Sequence, residues 1–285
     1  MALRLKHIWP FARGRKVFSY CFAHQAVVIP PPFGTLVELG APGTVKDGRF
    51  ERKINAYEVV PDGADYHPFM AGTLGSFAVL RDLQARDAPG DALVNITHYR
   101  RFMMPDALGV EAKNYPNMRL VTEAEARLLD TAKGLRRLRE PFLFSQPVSQ
   151  PSIIEGYGRA HHREDLENFA DCAIVEGVIT ASERDAWFAG KTLIPGGVEY
   201  GVSPVSVYVE KVSQLERVSR RYLNRHRPVG DDPYQRRALN FLCERLGSLL
   251  LERAFDAHFG GTPPDEVFGF MHIVSDKRQY RKNVA

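Results

Sequence analysis

The first hundred residues combine short apolar runs with turns and contain one helical pattern. Three runs have the length and composition of buried strands: "KVFSYCFA" (16–23), "AVVIPPP" (26–32), which prolines end, and "ALVNIT" (92–97). Between the last two, apolar residues recur at intervals of three and four from Met70 to Leu83, which predicts a helix. The order of strand, helix and strand favours a parallel α/β sheet.

Helical spacing dominates the second half of the chain. Apolar residues follow the i, i+3, i+4, i+7 template in three segments, 166–174, 208–222 and 239–250. Asp232-Pro233 is a start signal for the third helix and Gly260-Gly261 is a stop signal. No stretch has the length of an interdomain linker, so we expect residues 1–285 to form one domain.

The composition excludes several classes of protein. Of the 285 residues, 44% are apolar and 25% are charged, which argues against extensive disorder. The net charge of +4 is too small to indicate a dedicated nucleic-acid-binding protein, so we expect no nucleic-acid partner. The motifs GxGxxG, GxxxxGK[ST] and GxSxG do not occur, so dinucleotide, P-loop and hydrolase-elbow functions lack sequence support.

Cysteine usage and hydropathy bear on location. Cys21, Cys172 and Cys243 form no CxxC pair, which suits a reducing compartment. No run reaches the ~18 apolar residues of a membrane span, and no signal peptide is apparent, so we expect a cytoplasmic protein. Basic residues gather in the two ends, 1–16 and 276–285, which either contact the inner face of an anionic membrane or form solvated tails.

The stretch "LVNITHYRRF" (93–102) joins a buried strand to cationic side chains. In an extended chain His98 and Arg100 would share one face, and Tyr99 and Arg101 the other. Ligands of open α/β sheets bind beyond the carboxyl ends of strands, and arginine binds phosphate oxygens bidentately. Two interpretations follow: a phosphate site, or arginines paired with surface carboxylates beside a structural histidine.

A second candidate site is "GYGRAHHREDLENF" (156–169). On a helix, Asp165 would share a face with His161, four residues earlier, or with His162, three residues earlier. The start of a helix also suits carboxylates and anionic ligands, because of the helix dipole. Three interpretations remain open: a metal site, a catalytic or substrate-orienting site, and a solvated helix face.

Four segments, in order, resemble the DUF4422 family of bacterial glycosyltransferase-like proteins, which act in capsule and O-antigen polysaccharide synthesis. "DALVNITHYRRF" (91–102) resembles the family's "D-x-[IL]-G-[LV]-x-HYRRYF", and "YGRAHHREDLE" (157–167) resembles "Y-x-x-A-H-x-x-EDLE". "DDPYQRRALNFLCERLGSLLLE" (231–252) is similar to "YQxRVFGFxxERLLNxWL". "VFSYCFAH" (17–24) corresponds to a first strand that ends in a "THK"-like triplet.

The resemblance implies a GT-A-like, Rossmann-type α/β fold with a mixed, mostly parallel sheet and a helical C-terminal part. It implies an inverting transfer of a sugar from a UDP-sugar donor to a cell-surface polysaccharide acceptor, with galactofuranose as the specific sugar expected because some members of the family transfer it.

 The acceptor glycan is expected to be linked to a lipid or anchored in another way, and the expected partners are this glycan and the nucleotide sugar.

The resemblance also implies roles for individual residues. Asp165 would be the general base, with Glu164 as the second choice, because "ED" opens a helix as in the xED motif of inverting GT-A enzymes. The implied donor-diphosphate residues are His24, His98, Tyr99, Arg100 and Arg101. The implied acceptor-side residues are His161, His162, Glu244 and Arg245, with an internal ion pair as the alternative for the last two.

Two departures from the family pattern concern the donor site. No DxD follows the 93–97 strand, which favours metal-independent catalysis and leaves Mg²⁺ or Mn²⁺ as the alternative. The family's "ELTALYWIWKN" helix is here "GTLGSFAVLRD" (72–82), with Gly72 at the position of the glutamate. The donor sugar is therefore left open, and a member that binds a nucleotide sugar or glycan without catalysis is the alternative function.

Overall fold

A mixed sheet of ten strands, with helices packed against it, organises the residues that the structure describes. The computed structural model describes residues 15–30, 34–113, 115–226 and 232–276. Its strands are β1 (Val17–Ala23), β2 (Thr35–Glu38), β3 (Arg52–Asn55), β4 (Leu93–His98), β5 (Arg101–Met104), β6 (Val110–Ala112), β7 (Tyr115–Val121), β8 (Phe144–Ser145), β9 (Val148–Ser149), β10 (Thr192–Leu193), β11 (Gly201–Pro204) and β12 (Phe268–Val274). Strands β9 and β10 form a separate two-stranded pair.

The helices lie mainly in the second half of the chain. They are α1 (Ala56–Val59), α2 (Gly63–Met70), α3 (Thr73–Ala85), α4 (Glu123–Arg127), α5 (Thr131–Arg136), α6 (Ile153–Gly158), α7 (Arg163–Val175), α8 (Ala181–Ala189), α9 (Val205–Arg225), α10 (Pro233–Arg236) and α11 (Ala238–Phe259). A short 3₁₀ turn, Asp265–Val267, precedes β12. Among the described residues, no helix is both long and apolar enough to cross a membrane.

The strand order of the sheet is β3-β2-β1-β4-β5-β12-β7-β6. Strands β1 to β4 pair in parallel, β5 runs antiparallel between β4 and β12, and β12 pairs in parallel with β7. Strand β11 pairs antiparallel with β4, and β8 pairs in parallel with β12. This topology confirms the predicted α/β fold with a mixed, mostly parallel sheet.

The two faces of β1 contribute to different parts of the core. Phe18, Tyr20 and Phe22 pack into a large apolar cluster with helices α3, α7, α9 and α11, whereas Cys21 and Ala23 pack into a smaller cluster. Successive side chains of a strand point to opposite faces, so the unbroken apolar run of β1 reflects burial on both sides. The predicted strand over 16–23 is confirmed.

The predicted helical stripes are confirmed in α3, α7, α9 and α11. The stripe of α9 is buried along its whole length, at Tyr208, Val212, Leu215, Val218 and Tyr222. The helix packs against both α3 and α11. Burying apolar stripes of this kind supplies most of the stability of a helix in a protein.

Two local predictions are wrong. Residues 26–30 form no strand, and the next strand begins only at Thr35, because "AVVIPPP" runs into prolines that cannot donate to a ladder. Asp232 caps the short helix α10 rather than the long α11, accepting hydrogen bonds from the backbone N–H groups of Tyr234 and Gln235. The stop signal is confirmed, since Gly260 ends α11 in the left-handed conformation, at φ 70°.

Candidate functional site

A cleft beyond the carboxyl ends of β1 and β4 is formed by two adjoining compartments. The cationic compartment has a volume of about 590 Å³, and the residues that define it are His24, His67, His98, Tyr99, Arg100, Arg101 and Arg237. The aromatic compartment has a volume of about 310 Å³, and the residues that define it are Tyr115, His161, Tyr234, Phe241, Glu244 and Arg245. Six residues line both compartments: Arg101, Glu199, Tyr200, Tyr234, Asn240 and Phe241.

The parallel pairing of β1 with β4 brings the first group of predicted residues together. Phe22 is in register with His98, so His24, just beyond β1, lies near the end of β4. The ring of His24 meets that of Tyr99 edge-on, with 4.8 Å between centroids. All five predicted donor-side residues therefore line the cationic compartment.

The chain reverses inside the "HYRR" stretch, so the predicted alternation of its side chains is wrong. His98 pairs with Arg101 across the antiparallel strands β4 and β5, and Tyr99 and Arg100 form the two-residue turn between them. Paired residues of neighbouring strands project from the same face of a sheet. His98 therefore shares its face with Arg101 rather than with Arg100.

Hydrogen bonds connect Arg101 to His98 through a tyrosine. Arg101 Nη1 donates to the Tyr200 hydroxyl over 2.8 Å, and this hydroxyl lies 3.2 Å from His98 Nδ1. On the other side of the imidazole, His98 Nε2 lies 3.7 Å from Glu199 Oε2. The Tyr200 hydroxyl therefore links the Arg101 guanidinium to the His98 imidazole.

The positive charge of the cationic compartment comes from its arginines. Burial and the nearby charges of Arg101 and His24 hold the pKa of His98 well below its usual value. Burial and Arg100 likewise lower the pKa of His24. These shifts favour the neutral form of both imidazoles at neutral pH, whereas arginine stays charged. Among the described side chains, none forms a hydrogen bond or ion pair with the Arg100 guanidinium, which lies 5.6 Å from the Tyr99 ring centroid.

The aromatic compartment surrounds His161 with rings. The imidazole stacks on Phe241 with 4.3 Å between centroids and on Tyr234 with 5.1 Å, and its Nδ1 lies 3.2 Å from Gln235 Oε1. Flat apolar rings with a few fixed polar groups are typical of small-molecule sites. His161 is thus both a packed residue and a wall of the cleft.

Glu244 and Arg245 form the ion pair that the sequence left as an alternative, and they also line the cleft. Arg245 Nη1 lies 2.9 Å from Glu244 Oε2. Glu244 Oε1 accepts a hydrogen bond of 2.8 Å from the backbone N–H of Gly196. The carboxylate of Glu244 therefore braces the 195–200 loop against α11.

The remaining predicted residues, Asp165, Glu164 and His162, lie elsewhere. Helix α7 begins at Arg163 with His162 at the N-cap, so His161 precedes the helix and does not share a helical face with Asp165. Asp165 is fully buried and accepts a hydrogen bond of 2.6 Å from the Tyr222 hydroxyl. Glu164 and His162 are exposed, and none of the three lines either compartment. Asp165 as the general base stays a prediction.

Across residues 15–276, leaving aside the undescribed gaps, no group of three or more His, Cys, Asp or Glu side chains is arranged to hold a metal ion. The cationic compartment contains three histidines, and each of them contacts a tyrosine: His24 contacts Tyr99, His67 contacts Tyr57 and His98 contacts Tyr200.

Residues of two further segments complete the cleft, and sequence reasoning did not select them. Glu199 and Tyr200 belong to the loop between β10 and β11, and Asn240 and Phe241 lie at the start of α11. The available signal was the loop itself, "IPGGVEYG" (194–201), where two glycines and two polar side chains precede a strand. His67 adds a third imidazole, with its Nδ1 2.6 Å from the Tyr57 hydroxyl.

The chain has a mixed, mostly parallel α/β fold that is similar to that of a solved glycosyltransferase. The solved apo structure of WbbM, a bifunctional glycosyltransferase, is similar to this chain with a TM-score of 0.65 and 11% sequence identity. The similarity covers 91% of this chain and 45% of the WbbM chain, so this chain spans less than half the length of that protein. No protein-family model matches the chain, so the likeness to DUF4422 stays a resemblance. No curated protein matches it either.

Proposed function

We propose that the protein is a glycosyltransferase that takes a sugar from a nucleotide-diphosphate donor and places it on a glycan. The observation that carries this proposal is the two-compartment cleft at the carboxyl ends of β1 and β4, which is cationic on one side and aromatic on the other. Open α/β sheets bind ligands at such edges. The finer proposal, which follows the sequence resemblance, is an inverting transfer of galactofuranose from its UDP donor within a single domain.

The cationic compartment would hold the donor diphosphate. Arg100, whose guanidinium forms no ion pair with a described side chain, would bind phosphate oxygens through paired N–H groups. Arg101, His98, His24 and Tyr99 surround the same space. An anion there would also raise the pKa of both imidazoles, so we propose that they gain proton character as the diphosphate binds.

The aromatic compartment would receive the acceptor glycan. Sugar rings have one apolar face and many hydroxyl groups, and the wall offers Tyr234 and Phe241 for the former and Asn240 and Glu244 for the latter. His161 and Arg245 line the same compartment, whereas His162 would contribute from outside it. We propose a cell-surface polysaccharide, carried on a lipid at the inner face of the plasma membrane, as this acceptor. Of the basic ends 1–16 and 276–285, which would contact that membrane, residues 1–14 and 277–285 lie outside the described residues.

A protein of this fold that binds a nucleotide sugar or glycan without turning it over is the second candidate. The observation that favours it is the burial of Asp165, the predicted general base, outside both compartments. Transfer assays over a panel of nucleotide sugars and glycan acceptors, with and without EDTA, separate the two candidates. Product formation supports the enzyme, and binding without transfer or donor hydrolysis supports the binding protein.

Calorimetric titration with UDP tests the diphosphate site directly. We expect Arg100→Ala and Arg101→Ala each to weaken binding by about 1 to 3 kcal/mol, because each removes a charge-assisted hydrogen bond. Arg184→Ala is the matched control. Arg184 of α8 pairs with Asp171 of α7 and with Asp185 of α8, and it lines neither compartment. Titrations that are the same for wild type and the two cleft variants would rule out this assignment.

A further inference from the structure

We propose that Glu199 is the residue that takes the proton from the acceptor hydroxyl, acting where the cationic and aromatic compartments meet. This inference rests on the proposed function and names the base for it. Glu199 lines both compartments, so this residue lies at the boundary that a transferred sugar would cross. A general base must reach the proton that it removes, and this boundary is where donor and acceptor would meet.

The loop that carries Glu199 is fixed by contacts from three helices. The backbone N–H of Gly196 donates to Glu244 of α11, the Lys211 ammonium of α9 donates to the carbonyl of Gly197, and the Ser76 hydroxyl of α3 donates to the carbonyl of Val198 over 3.1 Å. A catalytic side chain works best when its backbone is held by the scaffold. These contacts give Glu199 one defined position.

Gly72, at the start of α3, leaves the space that the Glu199 carboxylate occupies. A Cβ atom on residue 72 would lie 2.6 Å from Oε2 and 2.7 Å from Oε1 of Glu199. The backbone φ of −65° is one that any residue adopts, so a side chain at position 72 would compete with the carboxylate for space, and the Glu199 side chain would have to shift. The sequence of α3 and the position of Glu199 are matched to each other.

The contacts of the carboxylate leave it able to exchange a proton. Oε1 lies 3.3 Å from the Thr73 hydroxyl, and Oε2 lies 3.7 Å from Nε2 of His98. Burial is the largest cause that raises the pKa of Glu199 to about 7, and the charge of Glu244 is the second. Arg101 and hydrogen bonds from Thr73 and Asn240 oppose that rise. The titratable and charged groups around Glu199 are His98, Arg101, Tyr200, Tyr208, Cys243 and Glu244.

The two other candidate carboxylates, Glu244 in the cleft and Asp165 outside it, are bound by protein groups. Glu244 is bound on one oxygen by the Gly196 N–H and on the other by Arg245. Asp165 is fully buried and is bound by Tyr222. Glu199, with 13% of its side chain exposed, faces the cleft, so it is the better placed of the three to receive a proton from a substrate.

Glu199 would serve the displacement of the nucleoside diphosphate from the anomeric carbon of the donor sugar. An acceptor oxygen forms a bond to the anomeric carbon of the donor sugar while its proton passes to the Glu199 carboxylate. The bond between the anomeric carbon and the diphosphate oxygen breaks, and its electron pair leaves with the nucleoside diphosphate. The arginines of the cationic compartment stabilise that negative charge. The proton then leaves Glu199 for solvent when the products depart.

Steady-state transfer kinetics and UDP titration with Glu199→Gln form the test. We expect kcat to fall about 10²- to 10⁴-fold, because a general base contributes this much, with UDP affinity within about twofold of wild type. The acid limb of the wild-type pH profile, near the pKa of Glu199, should be absent from the variant. Formate should restore part of the activity of Glu199→Ala, since it can supply the missing carboxylate. Glu252→Gln is the matched control, because burial also raises the pKa of Glu252 and its side chain lies outside the cleft.

The outcomes separate this inference from the proposed function. A variant that binds UDP, transfers no sugar and is rescued by formate supports Glu199 as the base. Wild-type rates and an unchanged acid limb in Glu199→Gln would overturn the inference and leave the glycosyltransferase intact. A wild-type protein that neither binds nucleotide diphosphates nor transfers sugar would overturn both.

Discussion

Two buried carboxylates, Asp165 and Glu199, have the same chemistry and different surroundings. Asp165 lies in the first turn of α7, is fully buried, and accepts a hydrogen bond from the Tyr222 hydroxyl of α9. Glu199 projects from a loop to the junction of two compartments and retains partial exposure. The first therefore joins two helices, whereas the second can meet a ligand. The comparison teaches that two properties distinguish a structural carboxylate from a reactive one better than a sequence motif does. They are the exposure of the side chain to the cleft and the hydrogen bonds that its oxygens already accept from protein groups.

Removal of the Asp165 side chain should have the largest effect on stability. Asp165→Ala leaves the buried Tyr222 hydroxyl without this acceptor and opens a cavity, so we expect a loss of about 3 kcal/mol in urea unfolding. Asp165→Asn keeps an acceptor oxygen and should cost about 1 kcal/mol. If instead Asp165→Asn abolishes transfer while its unfolding curve matches wild type, Asp165 is the base and the comparison fails.

A methyl group at position 72 should have the next largest effect. Gly72→Ala places a Cβ against the Glu199 carboxylate, and overpacking of this kind costs about 2 kcal/mol. The cost should nearly disappear when Glu199 is also alanine, which a double-mutant cycle measures. Gly48→Ala is the control, because a Cβ there meets nothing within 4 Å. Additive costs in the cycle would show that Gly72 and Glu199 do not compete for space.

More of the fold than of the cleft could be predicted from the sequence. The stripe from Tyr208 to Tyr222 predicted α9 because a helix that buries one face repeats apolar residues every three to four positions. The double burial of β1 likewise follows from its unbroken apolar run. These patterns are local, so a single sequence contains them.

The geometry of the cleft depends on contacts that are distant in sequence. Tyr99-Arg100 turns without the glycine or asparagine that usually marks a two-residue hairpin, so spacing predicted an extended chain there. Glu199 is positioned through Ser76, Lys211 and Glu244, each supplied by a different helix. The "HYRR" residues were found because charge after a buried strand is itself a signal, whereas Glu199 had only a glycine-containing loop to indicate it.

The pH dependence of stability gives the smallest expected effect and the sharpest contrast between the two carboxylates. The pKa of Glu199 is about 7 in the folded protein against 4.5 ordinarily, so wild type loses stability as pH rises between these values. Glu199→Gln has no such titration and avoids this loss. The variant should be no more stable than wild type near pH 4 and about 1 kcal/mol more stable near pH 8, where its amide pairs with Thr73 and Asn240. Urea unfolding at both pH values measures it. Equal differences between variant and wild type at the two pH values would mean that the Glu199 carboxylate is already solvated, and the contrast with Asp165 would then lose its physical basis.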